Sequence, residues 1–402
     1  MIKKKLIRRC PVCNALDGEI LQHIDLHLPT EMNIPGEYDV VVCEECGATF
    51  ADTAVSDDQL ANMYCKNNKY EHDTDVDREL HSRMTEYLYE VIEPFVNKND
   101  NILDVGCGDG GNLFYLQERG YPNLAGVEID PNQIKRIIQC GIQGYAASVY
   151  SEVPAEMKKR FSFIMANQVF EHLLYPSIAV DRLIDYLAPG GTILIDTPSA
   201  LGFPVFLREI PNYFNPEHIN YFTPKSLDSL MKSKGFKRIS SDELAYRPTP
   251  LETPEITCYL FYKKEAGVGN NSIPYAFSYD DSGARAISAY YENIGKKDRR
   301  QIAVVKKIVS DGRKIVVWGT RSFARHVFGS NPAFIENVAC FVDNNVDEQG
   351  KKVFGKNVFS PEKIREYPDA VIIICVMLNP SSVKRQIFQM GLGNVCVTLA
   401  DF

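Results

Sequence analysis

Four cysteines stand in two pairs near the start of the chain, Cys10-Pro-Val-Cys13 and Cys43-Glu-Glu-Cys46. A Cys-x-x-Cys turn aims two sulfurs at one point, and two such turns supply the four thiolates of a closed tetrahedral Zn²⁺ site. With no position open to substrate, such a site is expected to fold a small module and set it beside a neighbour. The 29 residues between Cys13 and Cys43 exceed the commonest ribbon spacing, while Gly47 suits a tight knuckle turn after the second pair. The alternative is two unrelated cysteine pairs or a redox couple.

A second set of residues lies further on. The run Ile102-Leu-Asp-Val-Gly-Cys-Gly-Asp-Gly-Gly-Asn112 follows a strand-like stretch and opens a helical one. Gly106, Gly108 and Gly111 let the backbone approach a ligand where side chains would obstruct it, and they satisfy the G-x-G-x-x-G spacing of dinucleotide sites. Asp104, ahead of the first glycine, would face a pyrophosphate unfavourably but can help bind a cationic aminoalkyl sulfonium group. Glu128 closes the next strand, where a carboxylate accepts hydrogen bonds from both ribose hydroxyls. Within Asn212-Tyr-Phe-Asn-Pro-Glu-His-Ile-Asn-Tyr-Phe-Thr223, Glu217 and His218 precede a helix that Thr223 caps and Pro224 opens. An imidazole can take a proton near neutral pH, and Glu217 can bind or orient a hydroxyl. The plainer reading is that His218 caps or packs the loop.

These residues need a scaffold. The chain has 402 residues, 45% hydrophobic and 24% charged, enough for two to three domains and unlike a disordered or fibrous chain. Its net charge of −8 gives no global field for nucleic acid or anionic lipid. The longest apolar run, Ala370 to Leu378, is half of what a membrane helix needs, and no signal-peptide core follows Lys3-Lys4-Lys5. A cytoplasmic protein with small-molecule partners is expected, without nucleic acid or membrane.

Residues 1–70 carry short strand-like pieces and no helix-length apolar period. The recurrence of Leu80, Met84, Leu88, Val91, Ile92 and Phe95 predicts a helix that ends by Asn97 to Asp100. Strand-like runs then begin at Asn101, Leu124, Phe161 and Gly191, separated by helical stretches, as in a parallel α/β sheet. Residues 71–246 therefore form a second unit. In residues 247–297 the periodicity fails, with three prolines by Pro254 and then Gly267-Val-Gly-Asn-Asn271; this reads as a crossover region that can carry substrate contacts. Residues 298–402 resume the α/β rhythm with strands at Lys314 to Trp318, Val338 to Val342 and Ala370 to Cys375.

Four of these motifs occur in one order: Asp104-x-Gly106-x-Gly108, then Glu128, Asn167-Gln-Val-Phe-Glu-His172, and Leu187-Ala-Pro-Gly-Gly191. From Asn101 to Phe236 the chain resembles the class I S-adenosylmethionine-dependent methyltransferases. The resemblance implies a seven-stranded sheet with the adenosyl moiety over the carboxyl ends of its first two strands. Asp104, Gly106, Gly108 and Glu128 would hold the cofactor, Asn167 would flank it, and His172 would be structural or near the adenine.

The layout as a whole, a four-cysteine module, a methyltransferase core and a third α/β domain, is similar to the sugar C-methyltransferases that act on nucleotide-linked keto-deoxysugars. That resemblance maps the substrate-binding acid and the base onto Glu217 and His218, followed by Tyr221-Phe222. The family has a tyrosine three residues before the histidine, where this chain has Asn215, so a phenol would have to come from Tyr213.

In the last domain Gly319-Thr-Arg-Ser-Phe-Ala-Arg-His326 sits between a strand and a helix, with Asp343 ending the next strand. One glycine is too few for pyrophosphate, so a degenerate Rossmann-like lid is expected, with Arg321 and Arg325 available to a substrate phosphate. The expected fold is thus α/β: an N-terminal zinc-binding module, a Rossmann-like methyltransferase core and a second Rossmann-like domain. The expected activity is S-adenosylmethionine-dependent methylation of a nucleotide-linked sugar, with His218 as base and Tyr213, Tyr221 and Arg321 as substrate contacts. O-methylation of a sugar or other hydroxyl acceptor is the alternative. From another class, a zinc-stabilised scaffold with a vestigial cofactor site would also contain these motifs.

Overall fold

The computed structural model describes residues 2–29, 32–66, 75–240, 244–247, 255–265, 275–377 and 380–402, and within the helix over residues 75–92 the side chains from residue 83 onward. The expected loop segment 267–271 and the side chain of Leu80 lie outside the described residues. Contacts divide the chain into two compact units. The first comprises Met1–Ile24, Asn33–Phe206 and Pro216–Ser288, and the second comprises Asp25–Met32, Leu207–Asn215 and Ala289–Phe402.

In chain order the first elements are β1 (Ile2–Lys5), β2 (Asp17–Asp25), β3 (Glu37–Cys43), β4 (Thr49–Asp52), α1 (Asp57–Lys66) and α2 (Asp75–Ile92). Next come β5 (Ile102–Val105), α3 (Gly111–Glu118), β6 (Leu124–Glu128), α4 (Pro131–Gln139), β7 (Gln143–Ala146), β8 (Phe161–Asn167), α5 (Pro176–Tyr186) and β9 (Leu187–Pro198). After them follow α6 (Ile210–Tyr213), which belongs to the second unit, β10 (Asn220–Tyr221), α7 (Pro224–Ser233), β11 (Phe236–Arg238), β12 (Ala245–Arg247) and β13 (Glu255–Lys264).

The first unit contains two sheets. Its larger sheet has the path β11-β13-β9-β8-β5-β6-β7, with β12 paired to β13 as an eighth strand. Strands β9, β8, β5, β6 and β7 are parallel, and β13 runs antiparallel to β9. Alternate residues of the central strands feed two cores: Leu103, Val105, Ile164 and Ala166 on one face, Ile102, Phe163 and Met165 on the other.

The crossover expected over residues 247–297 contains β13, which spans Thr192 to Pro198 of β9 by hydrogen-bonded register. Seven consecutive buried residues explain why no alternation marks it in the sequence. The first 70 residues also depart from expectation, since α1 is a helix of ten residues, too short to show a period.

The smaller sheet has the order β1-β2-β3-β4-β10. Its last strand comes from beyond residue 215, pairing Asn220 with Phe50 and Tyr221 with Thr49. Cys10, Cys43 and Phe50 belong to the same apolar cluster as Leu103 and Ile164. The N-terminal segment and the larger sheet therefore share one core, as a segment this short buries too little surface to stand alone.

Helix α8 (Ser282–Ser310) starts sixteen residues before the expected Asp298 and lies in the first unit through Ser288. The second unit then contains β14 (Ile315–Trp318), α9 (Ser322–Gly329), β15 (Val338–Val342), β16 (Lys352–Val353), β17 (Lys356–Phe359), β18 (Val371–Ile374), α10 (Pro380–Gln389) and β19 (Cys396–Thr398). Its sheet runs β16-β17-β15-β14-β18-β19, parallel except for the short β16. Ile315 and Val317 pack into one core, Val316 and Trp318 into another, so both faces are covered. Among the described residues no helix is long and apolar enough to cross a membrane.

Candidate functional site

The site begins at the turn after β5. Gly106 takes φ 75°, and a Cβ there would stand 2.5 Å from the Val169 side chain, so both conformation and space require glycine. Its N–H donates to the Val127 carbonyl at 2.8 Å, which stitches the turn to the end of β6. Glu128 completes that strand. Its carboxylate accepts from the Gly108 N–H at 3.0 Å and from the Ile129 and Asp130 N–H groups at 2.7 and 3.2 Å. Main-chain donors thus hold an acid at the lip of the turn, where it can still accept a ligand's hydroxyls.

Gly106, Gly108, Glu128 and Asn167 line one cavity of about 860 Å³ at the carboxyl ends of β5, β6 and β8. This is where an open parallel sheet binds ligands. Asn167 carries a buried Oδ1 with no hydrogen-bond partner among the described residues, an acceptor available to a ligand. Its neighbour Gln168 adopts φ 57° and donates from Nε2 to Asp196 Oδ2 at 2.9 Å, a strained position that fixes the exit from β8.

Asp104 does not line the cavity. It is fully buried in β5, neither carboxylate oxygen has a hydrogen-bond partner among the described residues, and burial pushes its pKa up to about 7. It can act on a bound cation only through its field.

His218 and His172 line the same cavity, with ring centroids 4.8 Å apart in an edge-to-face arrangement. The loop positions both: the Ile219 N–H donates to the Glu171 carbonyl at 2.8 Å, and Asn220 Nδ2 donates to the Phe170 and Leu173 carbonyls. Thr223 caps α7 in a reciprocal box with Ser226, as its position before Pro224 predicts. Tyr64, from α1, meets the His172 ring edge-on at 5.3 Å.

Glu171 is the residue that sequence reasoning passed over. It is 1% exposed, lines the cavity and accepts from Thr197 Oγ1 at 2.9 Å, and burial pushes its pKa up to about 8. Its one sequence signal is an acid beside a histidine just after a buried strand.

Other expected site residues are placed differently. The side chain of Glu217 is not on the cavity wall; its main-chain carbonyl instead accepts from His172 Nδ1 at 3.0 Å. Tyr221 is 3% exposed, pairs with Thr49 in the β10–β4 ladder and donates from its hydroxyl to Tyr38 at 3.2 Å. The structure thus makes it a packing residue, because the strand it sits on completes the small sheet. Tyr213 and Arg321 belong to the second unit, where Tyr213 is buried with its ring edge-on to Tyr290. Arg321 is exposed at the start of α9.

The four paired cysteines come together. Cys10 and Cys46 sulfurs are 3.6 Å apart, those of Cys13 and Cys43 are 3.5 Å apart, and all four lie within 4.8 Å of one another. Four thiolates ~2.3 Å from one zinc stand about 3.8 Å apart, so the set fits the ion. The two knuckles repeat each other. Asn14 and Gly47 donate N–H groups to the Cys10 and Cys43 carbonyls at 3.0 Å, both with left-handed φ, and the Cys10 and Cys43 N–H groups reach Ala15 and Ala48 at 2.9 Å.

Comparison with known proteins bears on the larger sheet. Residues 76–241 match the model described as a methyltransferase domain, and residues 311–395 match one described as C2185-like, N-terminal. Residues 76–241 are a class I methyltransferase domain. Such a domain is an enzyme domain that takes its methyl group from S-adenosylmethionine, and it contains the Gly106 turn, Glu128, Asn167 and both histidines.

Among curated relatives of this methyltransferase domain is a ubiquinone biosynthesis O-methyltransferase of Psychrobacter arcticus, 25% identical over 162 residues, 37% of this chain and 63% of the relative. Phosphoethanolamine N-methyltransferase 1 of Triticum aestivum is 26% identical over 166 residues, 39% and 33% of the two chains. Trans-aconitate 2-methyltransferase of Sinorhizobium fredii is 33% identical over 110 residues, 26% and 40%. A solved S-adenosylmethionine-dependent methyltransferase from Methanosarcina mazei covers 44% of this chain and 97% of its own at 17% identity, with a TM-score of 0.37, too slight a likeness to add to the domain match. The chain spans between a third and two thirds of the lengths of these three curated relatives, and their names differ in acceptor.

Proposed function

We propose that this chain is an S-adenosylmethionine-dependent methyltransferase whose acceptor is an activated, nucleotide-linked sugar. The observation that carries the reading is that one cavity is walled by the Gly106 turn with Glu128 and by the His172–His218 pair. Glu128 would take the ribose hydroxyls and Asn167 would flank the cofactor. Asp104 would favour the sulfonium cation from below. His218 and its neighbours then act on the acceptor's acidic proton, with the loop carrying Glu217 holding them in place. The enzyme's contribution is mainly to position and desolvate the two partners.

Methylation at carbon beside a ketone is the form that the chain's layout suggests. O-methylation is the second reading, favoured by Asn215 in place of a phenol. Calorimetric titration with S-adenosylmethionine, followed by product analysis with labelled methyl donor across a panel of nucleotide sugars, tests both levels. His218→Ala should lower turnover ~10²–10⁴-fold with cofactor affinity unchanged. Unaltered turnover would remove His218 from the reaction.

In the second unit, the parallel strands occur in the spatial order third, second, first, fourth, fifth, which supports a Rossmann-like reading, with Arg321 the candidate for a substrate phosphate. The four cysteines are proposed to hold one structural zinc. After dialysis against metal-free buffer, elemental analysis should still find one zinc per chain. Cys43→Ser should lose it together with the fold of the N-terminal segment.

A further inference from the structure

We propose that Arg8, beside the first cysteine pair, is a positioning residue of the methyltransferase: through Asn220 it holds the two loops that carry Glu171, His172 and His218. This rests on the reading of that wall as the acceptor side of the cavity. Arg8 is 9% exposed, and its Nη2 donates to Asn220 Oδ1 at 2.9 Å and to the Leu174 carbonyl at 3.2 Å. Asn220, itself 2% exposed, turns its other end to the opposite loop, where Nδ2 donates to the Phe170 and Leu173 carbonyls at 2.8 and 2.7 Å.

The guanidinium decides which way that amide points. It can only donate, so the amide atom facing it has to be the oxygen, and the NH₂ group is left for two carbonyls that can only accept. Phe170–His172 forms a single 3₁₀ turn, too short to satisfy its own backbone, and Asn220 covers it from the facing loop. The Ile219 N–H adds a bond to the Glu171 carbonyl at 2.8 Å, and the Glu217 carbonyl meets His172 Nδ1 at 3.0 Å. Packing alone does not account for Arg8. Its Nε and Nη1 are buried with no hydrogen-bond partner among the described residues, a cost that an apolar chain of the same length would not carry. What the charge adds is direction.

The N-terminal segment delivers Arg8 by its own fold. The Ile7 and Arg8 N–H groups both donate to Asp52 Oδ1, at 2.8 and 3.0 Å, and Lys4 Nζ stands 2.8 Å from Asp52 Oδ2. Asp52 ends β4, whose Phe50 is the register partner of Asn220 and carries the guanidinium over its ring, 5.4 Å from the centroid. Two residues on, the Cys10 N–H bonds to the Ala15 carbonyl in the first knuckle. The strand that pairs with the main chain of Asn220 thus also places the arginine against its side chain. Arg8 does not line the cavity; it sets the geometry of the two histidines from outside.

The test uses the full-length protein with Arg8→Met, which keeps the length of the side chain and removes its donors. Hydrogen exchange over residues 168–175 and 216–222 should quicken at least ~10-fold. The ring signals of His172 and His218 in a histidine-labelled sample should move, while that of His326 in the second unit stays. Exchange over residues 102–108 should not change, and S-adenosylmethionine affinity should stay within about twofold, because the Gly106 turn is tied to Val127 and not to Asn220. Turnover should fall ~10–100-fold. Asn220→Ala should do the same, and adding Arg8→Met to it should change nothing further. If Arg8→Met does not fold, Arg8→Lys, which keeps the charge without the fork, carries the result. Unchanged exchange and ring signals overturn the proposal, as does loosening that extends to residues 102–108, or loosened loops with turnover within about twofold of wild type. Exchange and ring signals need no acceptor, so a wild type that methylates no nucleotide sugar sinks the acceptor reading alone, and Arg8 is still judged by them.

Discussion

Both units of this chain turn from a buried strand into a helix through a glycine, and in both the glycine N–H bonds to the last apolar residue of the next strand: Gly106 to Val127 at 2.8 Å, Gly319 to Val342 at 2.9 Å. In both, an acid follows that residue. The difference lies in what holds the acid. Glu128 is held by main-chain N–H groups alone, those of Gly108, Ile129 and Asp130. Asp343 instead accepts from the Thr320 hydroxyl at 2.8 Å and from the Asn345 N–H at 3.0 Å. The same backbone frame sets one acid, held by main-chain donors alone, on a cavity wall, and engages the other through a side-chain hydroxyl of the glycine turn. A strand, a glycine and an acid therefore do not make a nucleotide site by themselves.

The largest expected effect comes from putting the same methyl group in both turns. Gly106→Ala should weaken S-adenosylmethionine binding at least ~100-fold, because the new Cβ meets Val169 in a left-handed conformation. Gly319→Ala has φ 106° and a Cβ 2.7 Å from the Cys375 carbonyl; it should cost about 1–3 kcal/mol of stability and leave cofactor affinity intact. If calorimetry shows both variants losing cofactor, the contrast between the turns is wrong.

The acids come next. Glu128→Ala should weaken binding by ~1–3 kcal/mol, since buried ribose hydroxyls lose a charged acceptor. Asp343→Ala should lower the melting temperature and leave the cofactor dissociation constant unchanged. An unaltered constant in Glu128→Ala would sink the cofactor assignment.

The smallest effect is in pH. Burial raises the pKa of Asp104 to about 7, so below neutrality it is neutral and above it negative. Affinity for the cationic cofactor should therefore rise through pH 7, by no more than about tenfold per pH unit, and Asp104→Asn should flatten the profile. The stability of the unliganded protein should move the opposite way. The folded state keeps a proton that the unfolded chain releases near its ordinary carboxylate value of 3.8, so stability falls between there and about pH 7.

The parts legible in the sequence were those whose physics is local. The strand expected at Leu124 to Glu128 is β6, that at Val338 to Val342 is β15, and Thr223 caps the helix that Pro224 opens. The cysteine knuckles needed only a three-residue spacing, although Asn14 in the role of Gly47 had no signal of its own. The strand β13 was hidden because seven consecutive residues of it are buried and it follows a run of prolines, where neither alternation nor a helical period survives.

What the sequence by itself determined is the turn at Gly106, the acid at Glu128 and the pairing of the four cysteines, because each depends on neighbours within one or two elements. What only the tertiary structure decided is the wall opposite. Glu171 and His172 stand 47 and 46 residues before His218. Their meeting depends on a loop that Asn220 stitches to Phe170 and Leu173, and on a small sheet that draws Tyr221 away from the cavity into its last strand. A buried carboxyl leaves no periodic trace, since its position is set by the groups that close around it and not by the residues on either side.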